Sequence, residues 1–322
     1  MENNIVLVLA EPTDRHLAML EALPEETEIT VGNCAEAFRR SAPKATVIFN
    51  WSKGRDLLEQ VWRLAPNVRW VHTASAGLEH LLFPELIESA VPLTNGRGVF
   101  SGSLGEFTIG AVLFFAKDFR RMIRNQEAGR WQQFDVTEIA GQTIGIVGYG
   151  DIGRAIAERA RAMKMNVLAL RRRPELSGQD PLVDEMFPLD RIKELMARSD
   201  YIAVCAPLTP ETRGLIGEAE LRSMKPGAVL INVGRGAVVE EAALLRALEE
   251  KWIRGAALDV FEREPLPENH PFYRMENVLL SPHCADHTGD WLQRAMQFFL
   301  DNFARFRRGQ PLLNVVDKKL GY

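Results

Sequence analysis

The stretch that decides the fold is "TIGIVGYGDIGRAIAERARAM", Thr143–Met163. An apolar run typical of a β-strand leads into a glycine-rich turn, and a helical pattern of apolar residues follows the turn. The turn has the spacing Gly-x-Gly-x-x-Gly and consists of Gly148, Gly150 and Gly153. In a strand–turn–helix unit, the first glycine permits the tight turn, the second lets the backbone approach a pyrophosphate, and the third lets the helix pack on the strand.

The start of the helix after this turn completes the predicted binding site. Its first N–H groups, at Asp151 and Ile152, are not needed inside the helix and carry a partial positive charge that favours phosphate. The alternative is a purely structural turn, but the strand before it and the helix after it favour a ligand. We therefore predict that a dinucleotide binds here.

Short β-type runs alternate with helical patterns on both sides of this stretch. Before it come IVLVLA, EITVG, TVIFN and VRWVHT, and after it come NVLAL, YIAVCA, GAVLINV, RGAALDV and NVLLS. Helical patterns are predicted at Asp14–Leu23, Arg55–Leu64 and Gly77–Leu82, among others. This alternation predicts an α/β fold with parallel sheets. The long helical segment Ser103–Glu127 separates the two series and predicts a domain boundary near residue 102.

Length and composition fit a two-domain globular protein. The 322 residues exceed one comfortable core, and the composition is 46% hydrophobic and 25% charged. A formal net charge of -4 and a sequence pI near 6.0 argue against a nucleic-acid partner.

The sequence also predicts a cytoplasmic location. Three cysteines are too few and too scattered for a disulfide framework or a Cys-x-x-Cys metal site, which suggests a reducing compartment. The apolar run near the N-terminus is short enough to be a strand rather than a signal peptide. The longest apolar run, Phe107–Ala116, falls well short of the roughly 20 residues that span a bilayer, so we expect no membrane partner.

Charged residues follow three of the predicted strands in the second series. Arg235 comes after "VLINV", Asp259 and Glu264 come at and after "AALDV", and His283 comes after "NVLLS". Ligands of open α/β sheets bind at the carboxyl ends of the strands. An arginine can clamp a carboxylate and polarise a carbonyl, and a histidine beside a carboxylate can hold a proton near neutral pH. The set therefore predicts proton and hydride chemistry on a keto acid.

Each of these residues also has an unremarkable interpretation. Arg235 could be a surface charge and Glu264 a solvated loop acid. His283 and His287 could form an i,i+4 metal pair, but no third ligand or His-Glu-x-x-His pattern supports it, and we predict no metal.

Four separated motifs together resemble one family. "GIVGYGDIGRAIA", "LINVGRGAVVEEAAL", "ALDVFEREPLP" and "LLSPHCADHT", in this order, are similar to the D-isomer-specific 2-hydroxyacid dehydrogenases, which include glyoxylate/hydroxypyruvate reductases. The resemblance implies that Arg235 binds the substrate carboxylate, that His283 is the general acid/base and that Glu264 is its partner. It implies that the backbone N–H groups of Ala76 and Gly77 also bind that carboxylate. Further cofactor contacts that it implies are Pro207, Thr212, Val233 and Asp259, the last on the nicotinamide carboxamide.

The resemblance also implies the domain organisation. Residues 1–101, completed by 290–322, would form a flavodoxin-like substrate-binding domain, and 102–289 a Rossmann dinucleotide-binding domain. The last helical pattern has an apolar face that predicts core packing, formed by Leu292, Ala295, Met296, Phe299, Phe303 and Phe306. A homodimer held by the nucleotide-domain face, including Ser103–Trp131, is implied as well.

The exact substrate stays open, because Asp286 stands where the family usually has a small residue. A dinucleotide-sensing corepressor of the same fold is the alternative from another class, although the chain has no long disordered flanks for partner recruitment. Formate oxidation is a further family activity, but no pocket dedicated to so small a substrate is identifiable.

Three consecutive arginines predict the cofactor. In a dinucleotide fold, an Asp or Glu about 20 residues past the glycine turn usually binds the adenosine ribose. Here Arg171, Arg172 and Arg173 follow "NVLAL" at that place, and no acid is available at the strand end. Guanidinium groups pair with a 2′-phosphate that a carboxylate would repel. We predict a preference for NADP with NAD still possible, against the alternative of a solvated basic loop.

Overall fold

The structure is a computed structural model that describes residues 4–176 and 179–321. It divides the chain into two compact units. The first unit comprises Met1–Phe100 and Gly289–Tyr322, and the second comprises Ser101–Thr288.

The first unit contains a five-stranded parallel sheet. Its strands are β1 (Ile5–Leu9), β2 (Glu28–Gly32), β3 (Val47–Asn50), β4 (Trp70–Thr73) and β5 (Leu93–Thr94). Their order is β2-β1-β3-β4-β5, which is the flavodoxin-like order. Two α-helices are interspersed, α1 (Arg55–Leu64) and α2 (Pro84–Glu88), together with short 3₁₀ helices at Arg15–Ala22, Ala35–Phe38 and Ala42–Lys44.

The second unit contains a seven-stranded parallel sheet. Its strands are β6 (Thr143–Val147), β7 (Asn166–Leu170), β8 (Glu185–Phe187), β9 (Tyr201–Val204), β10 (Val229–Asn232), β11 (Gly255–Leu258) and β12 (Val278–Leu280). Their order, β12-β11-β10-β9-β6-β7-β8, is that of a Rossmann sheet with one added edge strand, and it reverses between β6 and β9. The helices are α3 (Ser101–Ala116), α4 (Phe119–Glu127), α5 (Asp151–Ala162), α6 (Ile192–Arg198), α7 (Glu218–Ser223) and α8 (Glu241–Glu249). Shorter 3₁₀ helices lie at Pro174–Leu176, Leu189–Arg191, Gly236–Val238 and Pro271–Arg274.

The central strands of both sheets are buried and mostly apolar because both of their faces are covered, whereas the edge strands β2, β8 and β12 are only partly buried. In the first unit, one face is covered by the last helix, α9 (Trp291–Arg307). Phe299 of α9 stacks on Phe49 with ring centroids 3.9 Å apart, and it lies 5.5 Å from the ring of Trp70. The predicted apolar face of this helix is therefore core packing.

The predicted fold class is confirmed, with local differences. The predicted helix at Gly77–Leu82 is wrong, because that segment is a series of turns and α2 begins at Pro84 instead. The segment Ser103–Glu127 is two helices rather than one, since Asp118 adopts a left-handed φ of 51° between α3 and α4. The strands β5 and β8, of 2 and 3 residues, were not predicted.

Candidate active site

The glycine turn after β6 is tightly packed on one side and open on the other. Gly148 has a φ of 99°, and a Cβ atom there would lie 2.5 Å from the backbone nitrogen of Ala206. A Cβ on Gly153 would lie 2.8 Å from the carbonyl oxygen of Gly148, so only glycine lets α5 start this close to β6. Gly150, in contrast, has open space beyond its Cα. That open side is where a phosphate could approach the backbone.

The start of α5 suits a phosphate. Gly150 is the N-cap residue and has no side chain to accept hydrogen bonds from the first turn, which contains Asp151, Ile152 and Gly153. The N–H groups of this turn and the positive end of the helix dipole therefore point towards the carboxyl edge of the sheet. Glycine turn and helix together fit the pyrophosphate of a dinucleotide.

The loop after β9 lies next to the glycine turn, since β9 neighbours β6 in the sheet. The hydroxyl of Thr212 donates to the carbonyl of Pro207 at 2.6 Å and accepts from the amide of Thr209 at 2.8 Å. Thr212 thus closes the loop, while Pro207 is exposed at its start. Val233 is buried after β10, and its amide donates to the carbonyl of Val204. Their contacts with a cofactor remain predictions.

The three arginines follow β7 on the other side of the glycine turn. The amide of Arg171 donates to the carbonyl of Phe187 at 3.0 Å, which fixes the start of this segment against β8. Arg171 and Arg172 are partly buried and Arg173 is exposed. A hydrogen bond from Thr209 lowers the pKa of Glu211, and the charge of Arg172 contributes to the same effect. Arg172 is therefore close enough to act electrostatically on the loop after β9.

Asp259, at the end of β11, organises the turn that carries His283. It is 1% exposed, and its Oδ1 atom accepts hydrogen bonds from the Ser281 hydroxyl at 2.6 Å and from the amides of Cys284 and Ala285 at 3.0 and 3.1 Å. The amide of His283 donates to the carbonyl of Asp259 at 2.9 Å. No local sequence pattern indicated this role, because the donors lie more than 20 residues further along the chain. The contact of Asp259 with the nicotinamide carboxamide stays a prediction.

His283 and Glu264 form a hydrogen-bonded pair. Nδ1 of His283 lies 2.7 Å from Oε2 of Glu264, and the other carboxylate oxygen accepts from the amide of Phe261 at 2.9 Å. An ionised carboxylate only accepts, so Nδ1 carries the proton and Nε2 is left to exchange one. His283 has a φ of 52°, a conformation that costs a non-glycine residue about 1–2 kcal/mol. The hydrogen bonds to Asp259 hold the turn in this conformation.

Arg235 follows β10, whose neighbour β11 pairs in turn with β12. Its carbonyl accepts from the side-chain amide of Asn232 at 3.1 Å, and its Nη1 atom donates to the carbonyl of Gly234 at 2.8 Å. The arginine, the carboxylate and the histidine thus follow three neighbouring strands at one edge of the sheet, as expected from their positions in the sequence.

Ala76 and Gly77 lie in the first unit, in the loop after β4. The carbonyl of Ala76 accepts from the side chain of Asn95 at 2.7 Å, and that of Gly77 accepts from the hydroxyl of Ser75 at 3.1 Å. Both residues are partly exposed. The carbonyl oxygens of both residues accept hydrogen bonds from neighbouring side chains. Their backbone N–H groups are the predicted donors to an anionic ligand.

Asp286 lies three residues after His283 in the same turn, and one of its oxygens is 3.7 Å from Nε2 of His287. Burial raises its pKa, as does the charge of Asp259, while the charges of His287 and His283 act in the opposite direction. Among residues 4–176 and 179–321, no group of three His, Cys, Asp or Glu side chains could hold a metal ion. Nor does any helix in these ranges have the length and apolar character needed to cross a membrane.

More than half of the chain matches a protein-family model. Residues 109–285 match the family model described as "D-isomer specific 2-hydroxyacid dehydrogenase, NAD binding domain". Among curated relatives, a glyoxylate reductase from Thermofilum pendens is 37% identical over 81% of this chain and 78% of its own. A glyoxylate reductase from Thermococcus gammatolerans is 31% identical over 94% of this chain and 90% of its own.

Solved structures are similar over the whole chain. A D-isomer specific 2-hydroxyacid dehydrogenase from Xanthobacter autotrophicus, in complex with NADPH and MES, has a TM-score of 0.85 at 29% identity and covers 100% of both chains. An NADPH-dependent glyoxylate/hydroxypyruvate reductase from Sinorhizobium meliloti, in complex with NADP and sulfate, has a TM-score of 0.82 at 26% identity and also covers 100% of both.

Proposed function

The chain belongs to the D-isomer specific 2-hydroxyacid dehydrogenase family of NAD(P)-dependent oxidoreductases, and on that premise we propose that it reduces a small 2-keto acid, such as glyoxylate or hydroxypyruvate, with NADPH. The observation that carries the proposal is the His283–Glu264 pair, with Nδ1 2.7 Å from the carboxylate, beside the strand that delivers Arg235. Glyoxylate reductases among the relatives support the choice of substrate class.

The residues at the edge of the second unit's sheet fit the cofactor. The open side of Gly150 and the first turn of α5 would hold the pyrophosphate. When bound, NADPH supplies the hydride. The remaining tasks, which are to bind the keto acid, to orient its carbonyl and to deliver a proton to the carbonyl oxygen, fall to the protein.

Three groups would perform those tasks. The planar guanidinium of Arg235 can bind the substrate carboxylate and the carbonyl oxygen together. Nε2 of His283 would donate its proton to the carbonyl oxygen as the hydride arrives at the carbon. Glu264, which accepts from Nδ1, would keep the ring oriented with Nε2 directed to the substrate side.

The preference for NADPH rests on the arginines after β7. The chain has Arg171, Arg172 and Arg173 where an acid would bind the ribose of NAD. Each charge-assisted hydrogen bond to a 2′-phosphate contributes roughly 1.5–3 kcal/mol, which is enough for a tenfold preference. The complexes of two similar structures with NADPH and NADP agree with this assignment.

Steady-state kinetics test the proposal. The assay measures kcat/KM for glyoxylate, hydroxypyruvate, pyruvate and phenylpyruvate with both NADPH and NADH. We expect the first two substrates to be preferred, at least a tenfold advantage for NADPH, and a loss of that advantage in Arg171→Asp/Arg172→Ala. Cofactor binding without turnover of any keto acid would contradict the reductase and favour a dinucleotide-sensing role. Equal kcat/KM with NADH would contradict the cofactor assignment alone.

The variant Arg235→Lys tests the anion clamp. Lysine keeps the positive charge but loses the planar, bidentate geometry, so we expect kcat/KM for the keto acid to fall by about 10² or more. The KM for NADPH is the internal control and should stay unchanged. A kcat/KM equal to that of the wild type would contradict the clamp.

We also propose a homodimer and a cytoplasmic location. Phe119, Met122 and Ile123 of α4 are 40–51% exposed, and Trp131 beyond it is 97% exposed. Exposed apolar residues of this kind mark protein interaction sites, and they lie in the segment implied for the dimer. Sedimentation equilibrium should give twice the chain mass for the wild type and less association for Ile123→Asp.

The three free cysteines support a reducing compartment, which agrees with the proposed cytoplasmic location.

A further inference from the structure

An acidic side chain lies close to the predicted 2′-phosphate site, where the sequence predicted none. Asp180 follows the arginine segment and is 13% exposed in its side chain. Its Oδ2 atom accepts hydrogen bonds from the hydroxyl of Tyr149 at 3.0 Å and from Nε of Arg154 at 3.1 Å. Its Oδ1 atom accepts from the amide of Leu182 at 3.1 Å. We call Tyr149, Arg154 and Asp180 the acid latch.

The acid latch connects the phosphate-binding turn to Asp180, which follows Arg173 further along the chain. Tyr149 lies between the first two glycines of the turn and is 3% exposed, and Arg154 lies in the first turns of α5. The backbone amide of Tyr149 donates to the carbonyl of Leu170 at 3.0 Å, so Arg171, the next residue in the chain, begins beside the turn that carries Tyr149. The latch and the predicted 2′-phosphate site therefore share one neighbourhood.

The Asp180 carboxylate is ionised and its charge is compensated. Burial alone would raise its pKa, but the hydrogen bonds from Leu182 and Tyr149 and the charge of Arg154 outweigh burial and lower it. A carboxylate without these partners would have two effects on cofactor choice. It would pair with the arginines and repel a 2′-phosphate, and it could accept hydrogen bonds from the ribose hydroxyls of NAD, as the acid of a dinucleotide fold usually does.

We propose that Tyr149 and Arg154 hold the Asp180 carboxylate so that its charge does not compete with the 2′-phosphate for the arginines, which makes all three residues determinants of the preference for NADPH. The inference rests on the proposed function, because it concerns the cofactor site of the same reaction. Tyr149 and Arg154 act through Asp180 and are positioning residues.

The experiment compares kcat/KM for NADPH with kcat/KM for NADH in variants of the latch. Tyr149→Phe and Arg154→Gln each remove one donor to Asp180. We expect each to lower the NADPH/NADH ratio about fivefold, the scale of one screened charge interaction near a protein surface. The loss should appear as a higher KM for NADPH with kcat nearly unchanged.

A second substitution separates charge from mere loop anchoring. Adding Asp180→Asn to either variant removes the uncompensated carboxylate charge. We therefore expect the NADPH/NADH ratio of Tyr149→Phe/Asp180→Asn and of Arg154→Gln/Asp180→Asn to return to within about twofold of the wild type. If the latch only anchored the loop, removing Asp180 as well would not restore the ratio.

The chain offers two matched controls. Arg161 lies about two turns further along α5 and pairs with Asp184, so Arg161→Gln removes a similar ion pair away from the carboxyl edge. Tyr201 is equally buried, but at the amino end of β9, so Tyr201→Phe removes a tyrosine hydroxyl far along the strand from the cofactor edge. Both should leave the ratio unchanged.

The outcomes distinguish this inference from the proposed function. If Arg171→Ala lowers the ratio but the latch variants do not, or if Asp180→Asn does not restore it, the acid latch is overturned and the cofactor assignment stands. If the wild type shows no preference for NADPH, or if Arg171→Ala leaves the ratio unchanged, both the cofactor assignment and the role of the acid latch are contradicted.

Discussion

Two histidines of this chain lie in opposite surroundings, one in each unit. The side chain of His283, in the turn after β12, is 44% exposed, and its ring is hydrogen-bonded to a carboxylate. His72, in β4 of the first unit, is 0% exposed, and its Nδ1 atom lies 2.7 Å from the hydroxyl of Thr94. One ring can exchange a proton with a ligand or with solvent, and the other cannot reach either.

The environment of His72 keeps it neutral. The rings of Phe49, Trp70 and Phe299 have centroids within 5.5–5.8 Å of its own. Burial lowers its pKa to about 3. The comparison shows that a histidine in a strand of this fold becomes a packing residue when its side chain points into the core. Of these two histidines, His283, beyond the strand end and beside a carboxylate, is the one equipped for proton transfer.

The largest effect is expected from removing the exposed histidine. His283→Ala should lower kcat by about 10²–10⁴, the usual contribution of a general acid–base group, and leave the KM for NADPH nearly unchanged. His72→Gln is the matched control and should retain the kcat of the wild type per folded molecule. Full activity of His283→Ala would eliminate the proposed proton donor.

The support of His283 is the next test. Asp259→Ala removes the acceptor of three hydrogen bonds in the turn, and we expect kcat to fall by about 10², because small displacements of a catalytic group cost that much. Asp259→Asn keeps an oxygen acceptor, so its kcat should fall clearly less than that of Asp259→Ala. Equal losses in the two variants would mean that the negative charge, and not the positioning of the turn, is what matters.

The buried His72 should affect the pH dependence of the free energy of unfolding rather than the activity. Its folded-state pKa lies below the unfolded value of about 6.5, so the unfolded state binds more protons between pH 6.5 and pH 3 and stability falls as the pH falls through that window. The slope is about 1.4 kcal/mol per pH unit, or about 2 kcal/mol between pH 7 and pH 5. Urea unfolding at the two pH values should show this loss in the wild type and not in His72→Gln. Parallel losses in both proteins would show that other groups cause the acid sensitivity.

The smallest effect is expected at the carboxylate partner. Glu264→Gln keeps a hydrogen-bond acceptor for Nδ1 but removes the negative charge beside the ring. We expect kcat for keto-acid reduction to fall about tenfold, since one charge-assisted hydrogen bond becomes neutral. A kcat identical to that of the wild type would leave Glu264 a purely structural role.

Local elements of the fold were predicted where local signals are strong. The helix α1 begins and ends at the predicted residues, Arg55 and Leu64, because its apolar residues recur with helical spacing. The segment Gly77–Leu82 has similar apolar spacing, but it is short, and the proline at the first position of α2 sets a later helix start. The strands β5 and β8 are too short to produce a recognisable alternation.

The sequence by itself determined the α/β class, the glycine turn and the placing of Arg235, Glu264 and His283 just beyond strands. Those are properties of backbone conformation and of apolar spacing, which depend on neighbouring residues. Only the tertiary structure decided which distant groups meet. It placed the donors of the His283 turn on Asp259, joined Tyr149 to an acid 31 residues away, and buried His72 while leaving His283 exposed. The physical reason is that hydrogen-bond partners and burial depend on the order in which strands pair, and no local pattern of residues encodes that order.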